Sequence, residues 1–210
     1  MKKLAVYGAG GLGRETALLI EQINHARPSF KMVGFFDDGM AVGTVVDKWK
    51  VLGGLQQLNE SVTAFDVILA IADTSVRKSV VQKIISPKVN FPTLIHPTCI
   101  QGDERNHFGK GCILTAGVIL TTGIHLGDFV IVNLSTTIGH DVVLGKFSTV
   151  MPGCNISGNV RIGEGCLIGT GAKILQNLSI GKQCNVGAGA VVTHNFPDGK
   201  TIIGIPAHEK

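Results

Sequence analysis

No run of 18 apolar residues occurs in the 210-residue chain, so no segment is long enough to cross a bilayer as a helix. Aromatic residues make up only 5% and charged residues only 16%. Against that scarcity stand 28 glycines and a 44% hydrophobic content, enough aliphatic side chain to bury a core, which excludes a disordered polymer. No block of like charge exists, and the net charge of +4 is dispersed. That excludes a nucleic-acid tract and is compatible with acidic small molecules as partners. There is no C-x-x-C, and five cysteines are an odd number, which argues against a disulfide framework and for a reducing compartment. The opening MKKLAVYGAGGLG lacks a cleavage-like site, and glycines break its apolar run. The expected localisation is therefore cytoplasmic.

What the chain has in abundance is a repeat. Counting in sixes from Phe108 gives Leu114, Leu120, Leu126, Val132, Ile138, Leu144, Val150, Ile156, Ile162, Ile168, Ile174, Ile180, Val186 and Val192, all large and apolar. The residue after the apolar one is often glycine, as at 109, 127, 139, 145, 163, 169, 181 and 187. Four residues after it the side chain is small or β-branched, and Cys112, Cys154, Cys166 and Cys184 fall in that class. A helix repeats at 3.6 and a strand at 2.0, so neither explains period six. A hexapeptide β-helix does, with each unit forming one flat side and glycine or asparagine supplying the corner conformations. The four cysteines are then expected to be buried, small, apolar groups.

Residues 1–95 read differently. KLAVYGAGGLG is an apolar strand running into G-x-G-x-x-G at Gly8, Gly10 and Gly13, followed by helical spacing in RETALLIEQINHA. KMVGFFDD is a second strand ending in Asp37 and Asp38. FDVILAIADTS is a third with a polar tip at Asp73 and Thr74, and VRKSVVQKII reads as a helix. This is a βαβ unit whose glycine turn opens a helix, where exposed N–H groups and the helix dipole favour phosphate. Taken alone, the motif points to NAD, with Asp37 placed for a ribose. A redox enzyme would need a catalytic domain as well, and a β-helix is an unusual one.

Together the two halves resemble the sugar O- and N-acyltransferases of the sialic acid O-acetyltransferase and bacillosamine or perosamine N-acetyltransferase type. The resemblance rests on YGAGGLGRE, FFDD, AIADTSVRK, LIHPT, VNLSTTIGHDVVLG and the closing VGAGAVVTHNFPDGKTIIGIPA. It implies an α/β Rossmann-like domain over 1–95, followed by an all-β, left-handed parallel β-helix over 96–210. The helix would have about five coils of three hexapeptides each. It implies that the first domain holds a nucleotide-linked amino sugar or other sugar acceptor through Gly8, Gly10, Gly11, Gly13, Asp37, Asp38, Asp73 and Thr74. Acetyl-CoA is implied as a co-substrate, with no permanently bound cofactor and no metal, and the assembly as a homotrimer. A charge-poor stretch from Phe108 to Thr193, with eight charged residues, points the same way, since free surfaces usually carry more.

In that family the histidine of a GHD or EHE turn is the general base, which places His140 in that role and Asp141 beside it as the orienting acid. The chemistry is sound on its own terms. A histidine suits proton removal from an attacking amine or hydroxyl at neutral pH, and a carboxylate fixes its tautomer. Residues 18 apart stack at about 4.8 Å, and the column through His140 reads Thr122, His140, Gly158, Gln176. Glycine above the histidine is expected to leave room for a pantetheine arm, with the Gly158 N–H as an oxyanion donor. The resemblance supports Gly158 in that role, adds Thr170 and Thr149 to the acetyl-CoA side, and adds Asn133 as a substrate contact. Many relatives carry a second histidine where this chain has Thr149, which can hydrogen-bond but cannot be charged. Free sialic acid O-acetylation remains an alternative. More distant ones are a nucleotide-binding protein and a metal-dependent hydratase-like solenoid, to which the stacked His107 and His125 would belong.

Overall fold

The computed structural model describes residues 1–210. The chain divides into two compact units, Met1–Pro97 and Thr98–Lys210.

The first unit is an α/β domain. Its elements are β1 (Lys2–Tyr7), α1 (Gly11–Ala26), β2 (Phe30–Phe36), β3 (Val45–Val46), β4 (Trp49–Gly53), α2 (Leu55–Glu60), β5 (Phe65–Leu69), α3 (Thr74–Lys83) and β6 (Val89–Asn90). The sheet order is β3-β4-β2-β1-β5-β6, parallel except for the β3–β4 hairpin. The central strands read as unbroken apolar runs because they are covered on both faces: Leu4, Ala5, Val6, Val67 and Ile68 are fully buried. The chain leaves β1 toward β2 on one side and reaches β5 on the other. The strand order therefore reverses at β1, and a crevice opens at the carboxyl ends of β1 and β5, where ligands of such sheets bind.

The second unit is a β-solenoid of two-residue strands. Three faces each stack strands at intervals of 18 residues. One runs Ile119, Thr137, Asn155, Lys173, Val191, a second His107, His125, Val143, Arg161, Ser179, and a third Ile113, Ile131, Thr149, Leu167, Asn185. The hexad positions from Leu114 to Val192 point inward and are buried. Cys112, Cys154, Cys166 and Cys184 join them with no exposed surface. Burial pushes the Cys166 thiol up to about 12, so it stays a neutral core group. Thr201–Gly204 and the antiparallel Ala207–Glu209 close the far end.

The corners correct one expectation. The glycines that directly follow the inward residue do not make the turns. They are small because the next coil passes close by: a Cβ on Gly139 would stand 2.7 Å from the Gly158 nitrogen, closer than side chains tolerate. The turn lies two residues later. Every sixth position from Gly111 to Gly189 takes a left-handed backbone, and several of these are not glycine, Phe129, Asp141, Phe147 and Asn159 among them. Such a residue is strained unless its surroundings hold it there. At Asp141, with φ at 60°, the corner ladder does so: its N–H donates to the Thr122 carbonyl one coil below at 2.9 Å.

Candidate active site

The glycine turn of the first unit is built from close approaches. Gly8 has φ at 100°, and a Cβ there would meet the Ala70 carbonyl at 2.7 Å. A Cβ on Gly13 would come within 2.0 Å of the Gly8 carbonyl, so α1 can start hard against the end of β1 only with glycine at 13. Gly10 and Gly11 are different. Neither has a left-handed φ, and a Cβ on either would touch nothing within 4 Å. The fold itself does not require glycine at 10 and 11; a ligand lying on the turn would. The start of α1 has no side-chain cap and no acidic residue in its first turn, so its N–H groups remain available to an anion.

The acidic residues placed around this turn by sequence have internal duties. Asp37 accepts the Ala9 N–H at 2.8 Å through one oxygen and the Gly39 N–H at 2.8 Å through the other, which shapes the turn. Asp38 accepts the Tyr7 hydroxyl on one oxygen and the Leu55 N–H at 2.8 Å on the other. Burial, followed by that bond, pushes the Tyr7 phenol up. Asp73 is the N-cap of α3: its carboxylate accepts from the Ser75 N–H, the Ser75 hydroxyl and the Val76 N–H at 2.7–2.9 Å. The Ser75 hydroxyl, first among these, holds the Asp73 carboxyl below its ordinary range. Because Asp73 fills the start of α3, the tip at Asp73 and Thr74 is not a second open helix end like that of α1. It does lie beside the glycine turn, since Ala70 abuts Gly8.

Sequence reading missed a cleft of about 640 Å³ between α1 and the β3–β4 hairpin, lined by Gly11, Arg14, Leu18, Asp47, Lys48 and Trp49 among others. Arg14 pairs with Asp47 at 3.1 Å and Lys48 with Glu21 at 2.6 Å across it. The one available signal was the VVDKWKV stretch, a hairpin whose turn residue Asp47 takes φ at 52° without the usual Asn-Gly or Asp-Gly.

In the second unit, His140 and Asp141 occupy the corner between the Thr137–Ile138 and Val143–Leu144 strands. The His140 Nδ1 and an Asp141 carboxylate oxygen lie 2.9 Å apart, and both side chains are well exposed. With Nδ1 as the donor, Nε2 carries the free lone pair.

Gly158 stands one coil above, as expected, but the room it leaves is already used. A Cβ at 158 would fall 2.3 Å from His140 Nε2 and 2.7 Å from Cδ2. The imidazole itself lies across Gly158, and this corrects the expectation of an open slot for a pantetheine arm there. The Gly158 carbonyl accepts the Asn177 N–H at 3.1 Å, while its own N–H has no acceptor in the chain.

The remaining candidates lie elsewhere on the coil. Asn133 and Thr170 share a different corner. The Asn133 side-chain oxygen accepts the Leu134 N–H at 2.8 Å, and Thr170 gives its carbonyl to the Gly189 N–H at 2.8 Å. Thr149 belongs to the third face and is 1% exposed, so its hydroxyl lines no open surface of the single chain. One chain thus joins His140, Asp141 and Gly158, but not Asn133, Thr149 and Thr170. His107 and His125 stack with ring centroids 4.9 Å apart, and no group of three or more metal-ligating side chains forms. No helix is long and apolar enough to cross a membrane.

Residues 3–84 match the PglD N-terminal domain, and residues 159–194 match the bacterial transferase hexapeptide model of six repeats. A GDP-perosamine N-acetyltransferase of Escherichia coli O157:H7 is 34% identical over 142 residues. That stretch covers 67% of this chain and 63% of the relative, so the chain spans under two thirds of that protein's length. The acetyltransferase domain of PglB from Neisseria gonorrhoeae, solved with acetyl coenzyme A, is 34% identical with a TM-score of 0.89, covering 100% of this chain and 99% of that one. PerB from Caulobacter crescentus, solved with CoA and GDP-perosamine, is 26% identical with a TM-score of 0.86, covering 100% of this chain and 98% of that one.

Proposed function

The chain belongs to the hexapeptide-repeat sugar acyltransferase family, and on that premise we propose that it transfers an acetyl group from acetyl-CoA to an amino group of a nucleotide-linked sugar. The observation that carries this is the His140–Asp141 pair with its Nε2 free over Gly158, whose N–H is unpartnered. The relatives named above support the substrates: two are N-acetyltransferases of GDP-perosamine or solved with it, and one is solved with acetyl coenzyme A.

The reaction follows from the geometry. The acceptor amine attacks the thioester carbonyl, and its lone pair forms the new C–N bond. Nε2 of His140 takes the proton that the nitrogen sheds, while Asp141 holds Nδ1–H and stabilises the imidazolium. The carbonyl oxygen carries the negative charge of the tetrahedral intermediate, and the Gly158 N–H is the donor placed for it. Collapse breaks the C–S bond, and the imidazolium returns its proton to the departing CoA sulfur. No acyl-enzyme is required, because the thioester is already activated. The same base would serve a hydroxyl acceptor, as in free sialic acid O-acetylation; the names of the relatives favour nitrogen.

Acceptor binding is assigned to the glycine turn: the uncapped start of α1 takes the nucleotide diphosphate, and Gly10 and Gly11 allow its close approach. Gly8 and Gly13 shape the turn, Asp37 braces it, and Asp38, Asp73 and Thr74 form its surroundings. Asn133 is assigned to the acceptor and Thr170 to the acetyl-CoA side, while Thr149, covered within its own chain, keeps a packing role. Asn133 and Thr170 share one corner of the solenoid and the His140 dyad occupies another, so a complete site needs a neighbouring copy. That, with exposed Ile100, Ile119, Leu134 and Leu175, supports a homotrimer, and the five free cysteines support a reducing, cytoplasmic setting. Light scattering at micromolar concentration is expected to give three times the chain mass; a monomer would refute it.

Two measurements test the division of labour. Calorimetric titration should show binding of acetyl-CoA and of a nucleotide amino sugar but not of NAD, whereas NAD binding alone would favour the redox reading. A Cβ at Gly11 meets no atom within 4 Å, and the cleft beside it is open, so Gly11→Trp should leave stability intact. It should raise the acceptor KM by roughly tenfold or more, a loss of about 1.4 kcal/mol of binding, with the acetyl-CoA KM unchanged. Equal losses for both substrates would contradict acceptor binding at this turn.

A further inference from the structure

Arg105, Gly123 and Asp141 form one column of the solenoid, 18 residues apart, two residues ahead of the paired His107, His125 and Val143. The middle member has no side chain, and a Cβ at Gly123 would stand 2.5 Å from the Asp141 Oδ1. The Asp141 carboxylate therefore has two sides. Oδ2 meets the imidazole, and Oδ1 leans one coil down into the lane that Gly123 leaves open toward Arg105.

Arg105 is anchored at the foot of that lane. Its Nε and Nη2 donate to Asp103 Oδ2 at 3.1 and 2.6 Å. The same carboxylate accepts the Thr122 hydroxyl at 2.9 Å, and the Thr122 carbonyl accepts the Asp141 N–H at 2.9 Å. A continuous chain of bonds thus runs from the guanidinium to the backbone of the dyad. The Arg105 hydrogen bonds, above all, hold the Asp103 carboxyl down to about 2, so the anchor stays charged through any working pH. Arg105 in turn is raised by its bond to Asp103, by the charge of Asp103, and by the charges of Glu104 and Asp141. The titratable groups at this corner are His140, Asp141, Asp103, Glu104 and Arg105; Gly158 and Asn159 above it carry none.

We infer that Arg105 is a positioning residue of the reaction: across the Gly123 lane it fixes which carboxylate oxygen of Asp141 faces His140 and tempers how tightly the pair holds its proton. This rests on His140 and Asp141 being the dyad. The cation opposes formation of the imidazolium, so its removal should make the pair retain a proton to higher pH.

The test is kcat against pH for wild type, Arg105→Met, Arg105→Lys and His140→Ala, with acetyl-CoA and an accepted sugar. Arg105→Met should lower kcat near neutral pH by about two- to fivefold, the size of an exposed charge interaction. It should move the acid limb upward by about 0.2–0.7 of a pH unit and leave the acetyl-CoA KM unchanged. Arg105→Lys should restore most of both, and high salt should bring wild type toward the methionine variant. A purely structural role would lower kcat equally at every pH and leave the limb in place. That result, or a methionine profile that superimposes on wild type, overturns the inference. If His140→Ala keeps its activity, the dyad reading fails instead, so the two failures are distinguishable.

Discussion

His140→Ala is expected to lower kcat by roughly 10²–10⁴, the usual contribution of a positioned general base, while acetyl-CoA binding and the oligomer survive. Survival is expected because the side chain is 61% exposed. Asp141→Asn should cost less, since it removes the charge that stabilises the imidazolium but leaves the imidazole in place. The backbone at Asp141 favours this variant as a clean test: asparagine accepts a left-handed φ as readily as aspartate, and Asn159 and Asn177 hold the same corner position in the next two coils. The wild-type rate should fall as pH drops through the range where imidazole takes up its proton, because only the neutral ring can act as a base. A His140→Ala enzyme that keeps more than half of the wild-type kcat at saturating acceptor would remove histidine from the chemistry.

Gly158→Ala is the second large effect, and it acts without substituting either member of the dyad. The added methyl would stand 2.3 Å from Nε2, 2.5 Å from Cε1 and 2.7 Å from Cδ2, so the ring has to leave its place. Gly158 takes an ordinary backbone conformation, and the obstructing group is the exposed end of a side chain rather than the backbone of a neighbouring coil. The solenoid should therefore fold normally. A catalytic group displaced by about 1 Å costs on the order of 10² in rate, and that is the expected fall in kcat, with unchanged thermal stability. Gly139→Ala makes an instructive contrast. Its Cβ would strike the Gly158 nitrogen and Cα at 2.7 and 3.1 Å, a backbone contact, so that variant should lose stability as well as rate. A Gly158→Ala enzyme with wild-type kcat would show that the position of the ring over the glycine is irrelevant to turnover.

The solenoid was legible because its period is written in side-chain size. Fifteen apolar positions six apart specify an inward row, and the small class beside them, cysteines included, specifies the second inward position. The reason for the glycines was not legible. The sequence shows a glycine after about half of the inward residues and invites a turn there, whereas the structure uses that glycine for coil-to-coil contact and turns two residues later, at positions as different as Gly123, Phe129 and Asp141. Which residues share a left-handed corner depends on the stacking of coils and not on local propensity. The His140–Asp141 pair was legible as a motif, and its column with Gly158 followed from the 18-residue register. The direction in which the imidazole folds was not, since it is a rotamer choice that places the ring on a stacked neighbour without a side chain.

In the first unit, β1, α1, β2, β5 and α3 could be read from apolar runs and helical spacing. The β3–β4 hairpin could not, because a two-residue strand around Asp47 and Lys48 carries too little alternation. Trp49 and the cleft it lines were missed with it. Asp73 was read as a polar strand tip when it is the cap of α3. An aspartate three residues ahead of the first helical apolar residue, Val76, was the available signal. The buried Arg77 is the clearest case of tertiary override: nothing in VRKSVVQKII distinguishes it from the half-buried Lys78, yet it is completely buried and donates to the Ile71 and Ala72 carbonyls of the loop beside the glycine turn.

The most direct measurement of the central claim is release of free thiol from acetyl-CoA by the purified protein, with and without GDP- and UDP-linked amino sugars and free sialic acid, each product identified by mass. The account predicts thiol release that depends on a nucleotide amino sugar, a product heavier by one acetyl group on nitrogen, and loss of both with His140→Ala. Thiol release with free sialic acid alone, or release that His140→Ala leaves intact, would contradict it.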